Sequence, residues 1–236
     1  MCCISKTDRR CGFTLLELLL AVGILAAVMV VTFMAFSTVI QAWKKGRALV
    51  ENVHHGDFVI DQLVMALRSA YFVKRDGDDA TFGFWLEDNG DGPESSDEIG
   101  WVKLGSSLVG ADAPFVDSPH RVQFSVDEDD EGRRAVKIRA WRTYGQPEDF
   151  DPEDDVEPQF LSRRVVGFNC RPAYPYRSDP EEEIEWLDEW EHSNSIPTVV
   201  EITLFLEPLE EGGEPVEVRR IVGIPVAPLS LPDKPW

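Results

Sequence analysis

Gly12-Phe13-Thr14-Leu15-Leu16-Glu17-Leu18-Leu19-Leu20 places one carboxylate, Glu17, at the head of an otherwise apolar run. From Leu18 to Phe36 no residue is charged. As a helix that stretch of roughly 19 residues covers about 28 Å, close to the hydrocarbon thickness of a bilayer. The run continues through Val39 and Ile40 until Lys44, Lys45 and Arg47 close it. A cleaved secretory signal has a shorter apolar region and small residues at its far end, and Ser37-Thr38 fits that poorly. A plain anchor accounts for the run and its basic flanks but leaves Gly12 and Glu17 without a purpose. A carboxylate in hydrocarbon is costly and marks function by default.

The G-F-T-L-L-E stretch from Gly12 to Glu17, with Lys6, Arg9 and Arg10 before it and an apolar helix after it, resembles the amino terminus of the type IV pilin superfamily, which includes the pseudopilins of type II secretion. That resemblance implies cleavage between Gly12 and Phe13 by a prepilin peptidase, N-methylation of Phe13, and residence in the inner membrane until extraction into a filament. It casts Glu17 as the assembly residue. One helical turn from the new amino terminus, its carboxylate could meet the Phe13 amine of a neighbouring subunit. A buried pair of that kind sets register better than it adds stability. Residues 1–12 are then a leader, 13–40 a single transmembrane helix, 41–72 its amphipathic continuation, and 73–236 a periplasmic β-rich domain. Basic residues flank the span on both sides, so charge alone does not orient it. The periplasmic placement rests on the resemblance.

Beyond the span, Trp43, Val50, Val53, Ile60, Leu63, Leu67 and Tyr71 recur at helical steps and predict one apolar stripe. Gly46 and Gly56 weaken the helix and allow it to bend. Short strands are expected at Thr81 to Leu86, Ile99 to Leu104, Arg121 to Val126, Ala135 to Trp141, Phe160 to Phe168, Val200 to Leu204 and Val216 to Val222. The acidic stretch from Asp127 to Gly132 reads as a hairpin turn, and Pro225, Pro228, Pro232 and Pro235 as an extended tail. The fold class is α+β: a long N-terminal helix packed on one face of an antiparallel β-sheet.

The chain has 236 residues and a formal net charge of −20. That balance is unfavourable for nucleic acid, whose phosphates need a basic face. Cys2, Cys3 and Cys11 fall in the leader, so Cys170 alone would remain after cleavage, as a buried and inert thiol.

Two loops are long and acidic, Glu87 to Glu98 and Gln146 to Pro158. In the first, Glu87, Asn89, Asp91, Gly92 and Glu98 fall at positions one, three, five, six and twelve of the EF-hand calcium pattern. Glu replaces Asp at the first position and Pro93 sits where a carbonyl ligand belongs. Two readings stay open: a calcium loop held by Glu87, Asn89, Asp91 and Glu98, or a turn rich in Asn, Asp and Gly for conformational reasons. His54, His55, Asp57 and Asp61 read as a solvated helix face rather than a metal site. No G-x-S-x-G, P-loop or paired catalytic signature occurs, and the chain reads as a non-enzyme without a certain cofactor.

Trp43 sits at the expected lipid–water boundary. Ile184 to Trp190, carrying Trp186 and Trp190, then Ser195-Ile196-Pro197 and an alternating strand, is similar to a stretch of the J-type minor pseudopilins. Arg163 to Phe168 would be the strand that leads into it. That resemblance implies a filament-tip complex with I- and K-type minor pseudopilins, above the major pseudopilin, in support of protein secretion. The alternatives are a minor type IV pilin for adhesion, motility or DNA uptake, and a membrane-anchored, calcium-dependent binding domain. The insert Gln146 to Pro158 lies outside the resemblance.

Overall fold

The computed structural model describes residues 14–74, 80–173, 184–190, 194–208 and 212–230, with side chains left out at 48, 51–53 and 55. Gly12 and Phe13 lie outside the described residues. The chain forms two compact units, Met1–Ala48 and Leu49–Trp236. One helix, α1 (Leu15–Arg68), contributes to both.

The first unit is the apolar part of α1. Leu15–Arg47 is long and apolar enough to cross a membrane, and none of it is buried within the protein. Its hydroxyl side chains at Thr32, Ser37 and Thr38 fold back on the helix. Thr32 donates to the Val28 carbonyl at 2.8 Å, and Ser37 and Thr38 each donate to the Met34 carbonyl at 2.9 Å. Hydroxyls satisfied in this way are compatible with hydrocarbon, where no water would replace a missing partner.

In the second unit the helix has a buried face made by Gly56, Val59, Ile60, Leu63, Ala66 and Leu67. The expected stripe is therefore shorter at its start. Trp43 and Val50 are 67% and 70% exposed, and the Val53 side chain lies outside the described residues. The periodicity runs on unbroken, but only the segment from Gly56 has a sheet beneath it. Gly56 also has a different job from the one its sequence suggested. A Cβ there would lie 2.7 Å from Leu206 Cδ1, so the missing side chain admits a core leucine. At Gly46 nothing lies within 4 Å.

The β structure comprises two antiparallel sheets, not the one expected. The first has five strands in sequential order: β1 (Trp85–Glu87), β2 (Glu98–Lys103), β3 (His120–Glu128), β4 (Arg134–Arg142) and β5 (Gln159–Ser162). The second has β6 (Val165–Ala173), β7 (Val199–Leu206) and β8 (Val216–Gly223), also in order. The strand expected from Phe160 to Phe168 breaks at Arg163-Arg164. There the Arg164 amide donates to Ser162 Oγ, while Arg163 and Arg164 reach out to Asp129 and Glu207 at 2.9 and 2.8 Å. The strand expected from Thr81 is shortened by a 3₁₀ turn at Ala80–Phe82. The tail holds another at Ala227–Leu229 instead of running extended, while Pro232 and Pro235 lie outside the described residues.

Alternation places Ile99, Trp101, Val122, Phe124, Val126 and Ile138 of the first sheet in the core with Phe168, Cys170, Ile202 and Leu204 of the second. Phe124 and Phe168 meet edge to face at 4.8 Å. The helix is tied to β2 by more than apolar contact. Trp101 Nε1 donates to the Ala66 carbonyl at 3.1 Å, the Tyr71 amide donates to Val102 O, and the Leu104 amide donates to Ser69 O.

Candidate functional site

At the start of α1, Thr14 caps the helix. The Glu17 amide lies 3.3 Å from Thr14 Oγ1 and 3.1 Å from the Thr14 carbonyl oxygen. Thr14-x-x-Glu17 is the spacing of a capping box, a signal readable in the sequence but missed there. A carboxylate in the first turn also faces the partial positive charge of the helix terminus. The Glu17 side chain is exposed, as are Leu15, Leu16 and Leu18 around it. An acidic group in an apolar surface is thus offered outward to whatever surrounds the helix. Phe13, its expected partner from a neighbouring subunit, lies outside the described residues.

The loop from Glu87 to Glu98 disperses its candidate calcium ligands. Glu87 and Glu98 sit opposite one another on β1 and β2. The Asn89 amide donates to Asp97 Oδ1 at 3.0 Å, and Asp91 precedes a 3₁₀ turn at Gly92–Glu94. Among the described residues no group of three or more His, Cys, Asp or Glu is placed to hold a metal ion.

What the loop does in the fold is join the two sheets. Ser96 forms a parallel bridge with Phe168 of β6. Ser95 Oγ donates to Phe168 O at 2.9 Å, the Phe168 amide donates to Ser95 O at 3.0 Å, and the Asp97 amide donates to Phe168 O at 3.1 Å. The carbonyl of Pro93 lies so close to Gly167 that no side chain fits there. Asp97 was not singled out by the sequence, yet it is the hub. It is 1% exposed and accepts from Cys170 N at 2.7 Å as well as from Asn89 N. Burial pushes its pKa up to about 6, against the pull of those two amide donors.

The acidic insert makes a short helix, α2 (Pro152–Asp155), capped by Asp151, whose side chain accepts from the Glu153 amide. Arg139 of β4 donates to the carbonyls of Val156 and Glu153, and Phe150 tilts against Trp141 at 6.1 Å. The insert therefore packs on the face of the first sheet turned away from the core.

The remaining sequence-flagged residues are structural or exposed. Cys170 is buried, and desolvation pushes its thiol pKa far up, which keeps it inert. Asp57 lies 3.4 Å from Arg220 of β8, and His54 is exposed. Trp190 is buried and meets Phe84 edge to face at 6.5 Å, while Trp186 bridges Ala173 through its backbone. Trp43 is exposed beneath the Arg47 guanidinium at 6.0 Å.

A second buried charge also escaped the sequence. Lys103, fully buried, donates to Gly105 O at 2.6 Å and lies 3.3 Å from His120 Nε2, and His120 Nδ1 is 2.9 Å from Ser118 O. Burial lowers the Lys103 pKa to about 8.

Residues 7–33 match a family model described as the prokaryotic N-terminal methylation motif. The match spans Arg9 and Arg10 of the leader, the Gly12–Phe13 junction, Glu17 and most of the apolar run. It supports a type IV pilin-like or pseudopilin character, processing by a prepilin peptidase, assembly with other pilin-like subunits and anchoring in a membrane. No curated protein matches the chain.

Proposed function

We propose that this chain is a minor pseudopilin of the J type, a non-enzymatic subunit that joins I- and K-type minor pseudopilins at the tip of a type II secretion pseudopilus. The observation that carries the reading is the exposed Glu17, one turn into a capped, lipid-length helix that follows a methylation motif. Cleavage after Gly12 leaves an ammonium group on Phe13. When the subunit is drawn into the filament, Glu17 pairs with such an ammonium on a neighbour and sets the stagger between them. The low dielectric strengthens the attraction, desolvation offsets much of it, and a wrong register leaves a carboxylate unpaired in an apolar surface. The β-sheet unit then faces the periplasm and presents the surfaces for its tip partners. A tryptophan-bearing segment before β7 fits the J type, whose tip complex distinguishes this role from that of a minor type IV pilin.

Amino-terminal mass analysis of the membrane-extracted protein tests the first step, with a chain beginning at methylated Phe13 as the expected result. Glu17→Ala is expected to be processed and inserted normally yet to be absent from sheared filaments. Retention of the first twelve residues in cells that trim other prepilins, or normal incorporation of the variant, would sink the reading.

A further inference from the structure

On the outer face of the five-stranded sheet lies a groove of about 390 Å³, lined by Trp85, Gly100, Arg121, Gln123, Trp141 and Phe150, with Pro152 at its rim. The strand register assembles it. Trp85, Gly100 and Gln123 are cross-strand partners on β1, β2 and β3, and Arg121 is opposite Trp141 on β4. Phe150 comes from the acidic insert, which closes one side.

Two features of the groove, at Arg121 and Gln123, have no use within the folded chain. Arg121 is half-buried and its guanidinium makes no hydrogen bond or ion pair among the described residues, so burial alone acts on it and lowers its pKa. The amide oxygen of Gln123 is buried without a hydrogen-bond partner. Gly100 interrupts β2 with ordinary extended backbone, so no turn or left-handed conformation requires it. The indole of Trp85 instead lies over it, with a Cβ there meeting Trp85 Cε3 at 3.2 Å. A glycine inside a strand marks a bulge or a close approach, and since β2 pairs with both neighbours in unbroken register, Gly100 is there to admit the Trp85 ring. An orphaned buried polar atom needs an explanation, and an unpaired half-buried guanidinium is worse than a neutral side chain in the same place.

We propose that this groove binds the carboxyl terminus of a partner polypeptide that ends in an aromatic or large apolar residue. Arg121 takes the terminal carboxylate in a two-pronged hydrogen bond. Gln123 accepts the last peptide N–H. The terminal side chain enters between Trp85, Trp141 and Phe150. Aromatic walls with a few convergent polar groups are the usual make-up of such a pocket. A carboxylate suits it better than a phosphate. One guanidinium matches one negative charge, and Glu98, on the same face of the sheet, already has a buried oxygen without a partner and a carboxyl pKa raised by burial. A dianion would meet that carboxylate unfavourably. The proposal does not depend on the role of Glu17, and a filament defect leaves it untouched.

The test uses the full chain in detergent micelles, titrated by calorimetry with an octapeptide ending in phenylalanine, as the free acid and as the carboxyl amide. The free acid is expected to bind, and the amide to bind at least about tenfold more weakly, since a hydrogen bond to a charged group is lost. N-acetyl-phenylalanine serves as the small-molecule arm, and weaker binding than the peptide acid is expected because it lacks the upstream backbone. Arg121→Met should abolish acid binding. Thermal unfolding guards against a merely structural role: Arg121→Met should unfold at the same temperature as the wild type or higher, because an unpaired half-buried charge is replaced by an apolar chain of similar length. Equal affinity for acid and amide, no binding of either, tighter binding of the small acid than of the peptide, or clear destabilisation by Arg121→Met would overturn the proposal.

Discussion

The two ends of α1 follow the same backbone rules and meet opposite surroundings. Between Leu15 and Arg47 its leucines, valines and phenylalanines are all exposed, and its hydroxyls are turned back onto its own carbonyls. Between Gly56 and Leu67 one apolar face, made by Val59, Ile60, Leu63, Ala66 and Leu67, is covered, while Phe58 and Met65 off that face stay exposed. The first stretch is apolar all round, as a lipid-facing helix is, and the second has the single stripe of a helix that covers a sheet. Helical propensity does not distinguish them, and what differs is the solvent each is matched to.

Leucine truncation should expose that difference most. Leu63→Ala is expected to cost the second unit about 2–5 kcal/mol, because it opens a cavity in a packed core. Leu25→Ala removes the same atoms from an exposed position and should leave that unit's unfolding transition within about 0.5 kcal/mol of wild type. Denaturant unfolding of the full chain in detergent, followed by near-ultraviolet circular dichroism, reads both. Similar losses at the two sites would show that the halves are not energetically separate.

The two glycines of the helix sharpen the contrast. Gly56→Ala should destabilise the second unit by about 1 kcal/mol. Overpacking against Leu206 opposes the gain in helix propensity and outweighs it. Gly46→Ala meets nothing and should leave the same transition unchanged. If Gly56→Ala stabilised the unit, Leu206 would have room to yield, and the glycine would not be a packing device.

The smallest effect belongs to pH, and only the second unit should feel it. Asp97 has a folded-state pKa of about 6, above its ordinary value of 3.8. Its contribution to stability is therefore full below the ordinary value and is lost as pH rises through about 6. Asp127 and Asp129 act in the opposite sense. Their pKa values are held down, chiefly by a hydrogen bond from Lys137 to Asp127 and from the Arg133 amide to Asp129, and their contribution is lost as pH falls below the usual carboxylate range. Between pH 5 and 7, then, the melting temperature of Asp97→Asn relative to wild type should rise with pH by about 2–4 °C, roughly 1 kcal/mol for a chain of this size. Parallel melting curves for the two proteins across that range would remove Asp97 from the account.

Much of this was legible in the chain. The membrane-length run, Glu17 and its motif, the stripe through Ile60, Leu63 and Leu67, and the strands β3, β4 and β8 are local patterns with a period, and periodic burial writes itself into sequence, whereas β7 alternates in sequence but is buried on both faces. The acidic turn expected at Asp127–Gly132 does join β3 to β4, but it is shorter at its start, since Asp127 and Glu128 still pair with Ala135 and Arg134. Other features left no such trace. Nothing near Asp97 announces that its oxygens will meet the amide of Cys170, 73 residues away, or that the acidic loop around it will stitch β6 to β2. The Phe160 to Phe168 stretch reads as one strand, and its division between two sheets follows from where Arg163 and Arg164 find their carboxylates.

By itself, the sequence determined the environment of each segment: a lipid-length helix with a processing motif, an amphipathic continuation, and an acidic β-rich unit. Those follow from solvation free energies, which depend on composition and spacing along a short stretch. Only the tertiary structure decided which strands share a sheet, which carboxylate is buried, why Gly56 lacks a side chain, and that Arg121, Gln123 and three aromatic rings line one groove. Such outcomes depend on the meeting of residues far apart in the chain, and the free energy of a contact between two groups is not a property of either one alone.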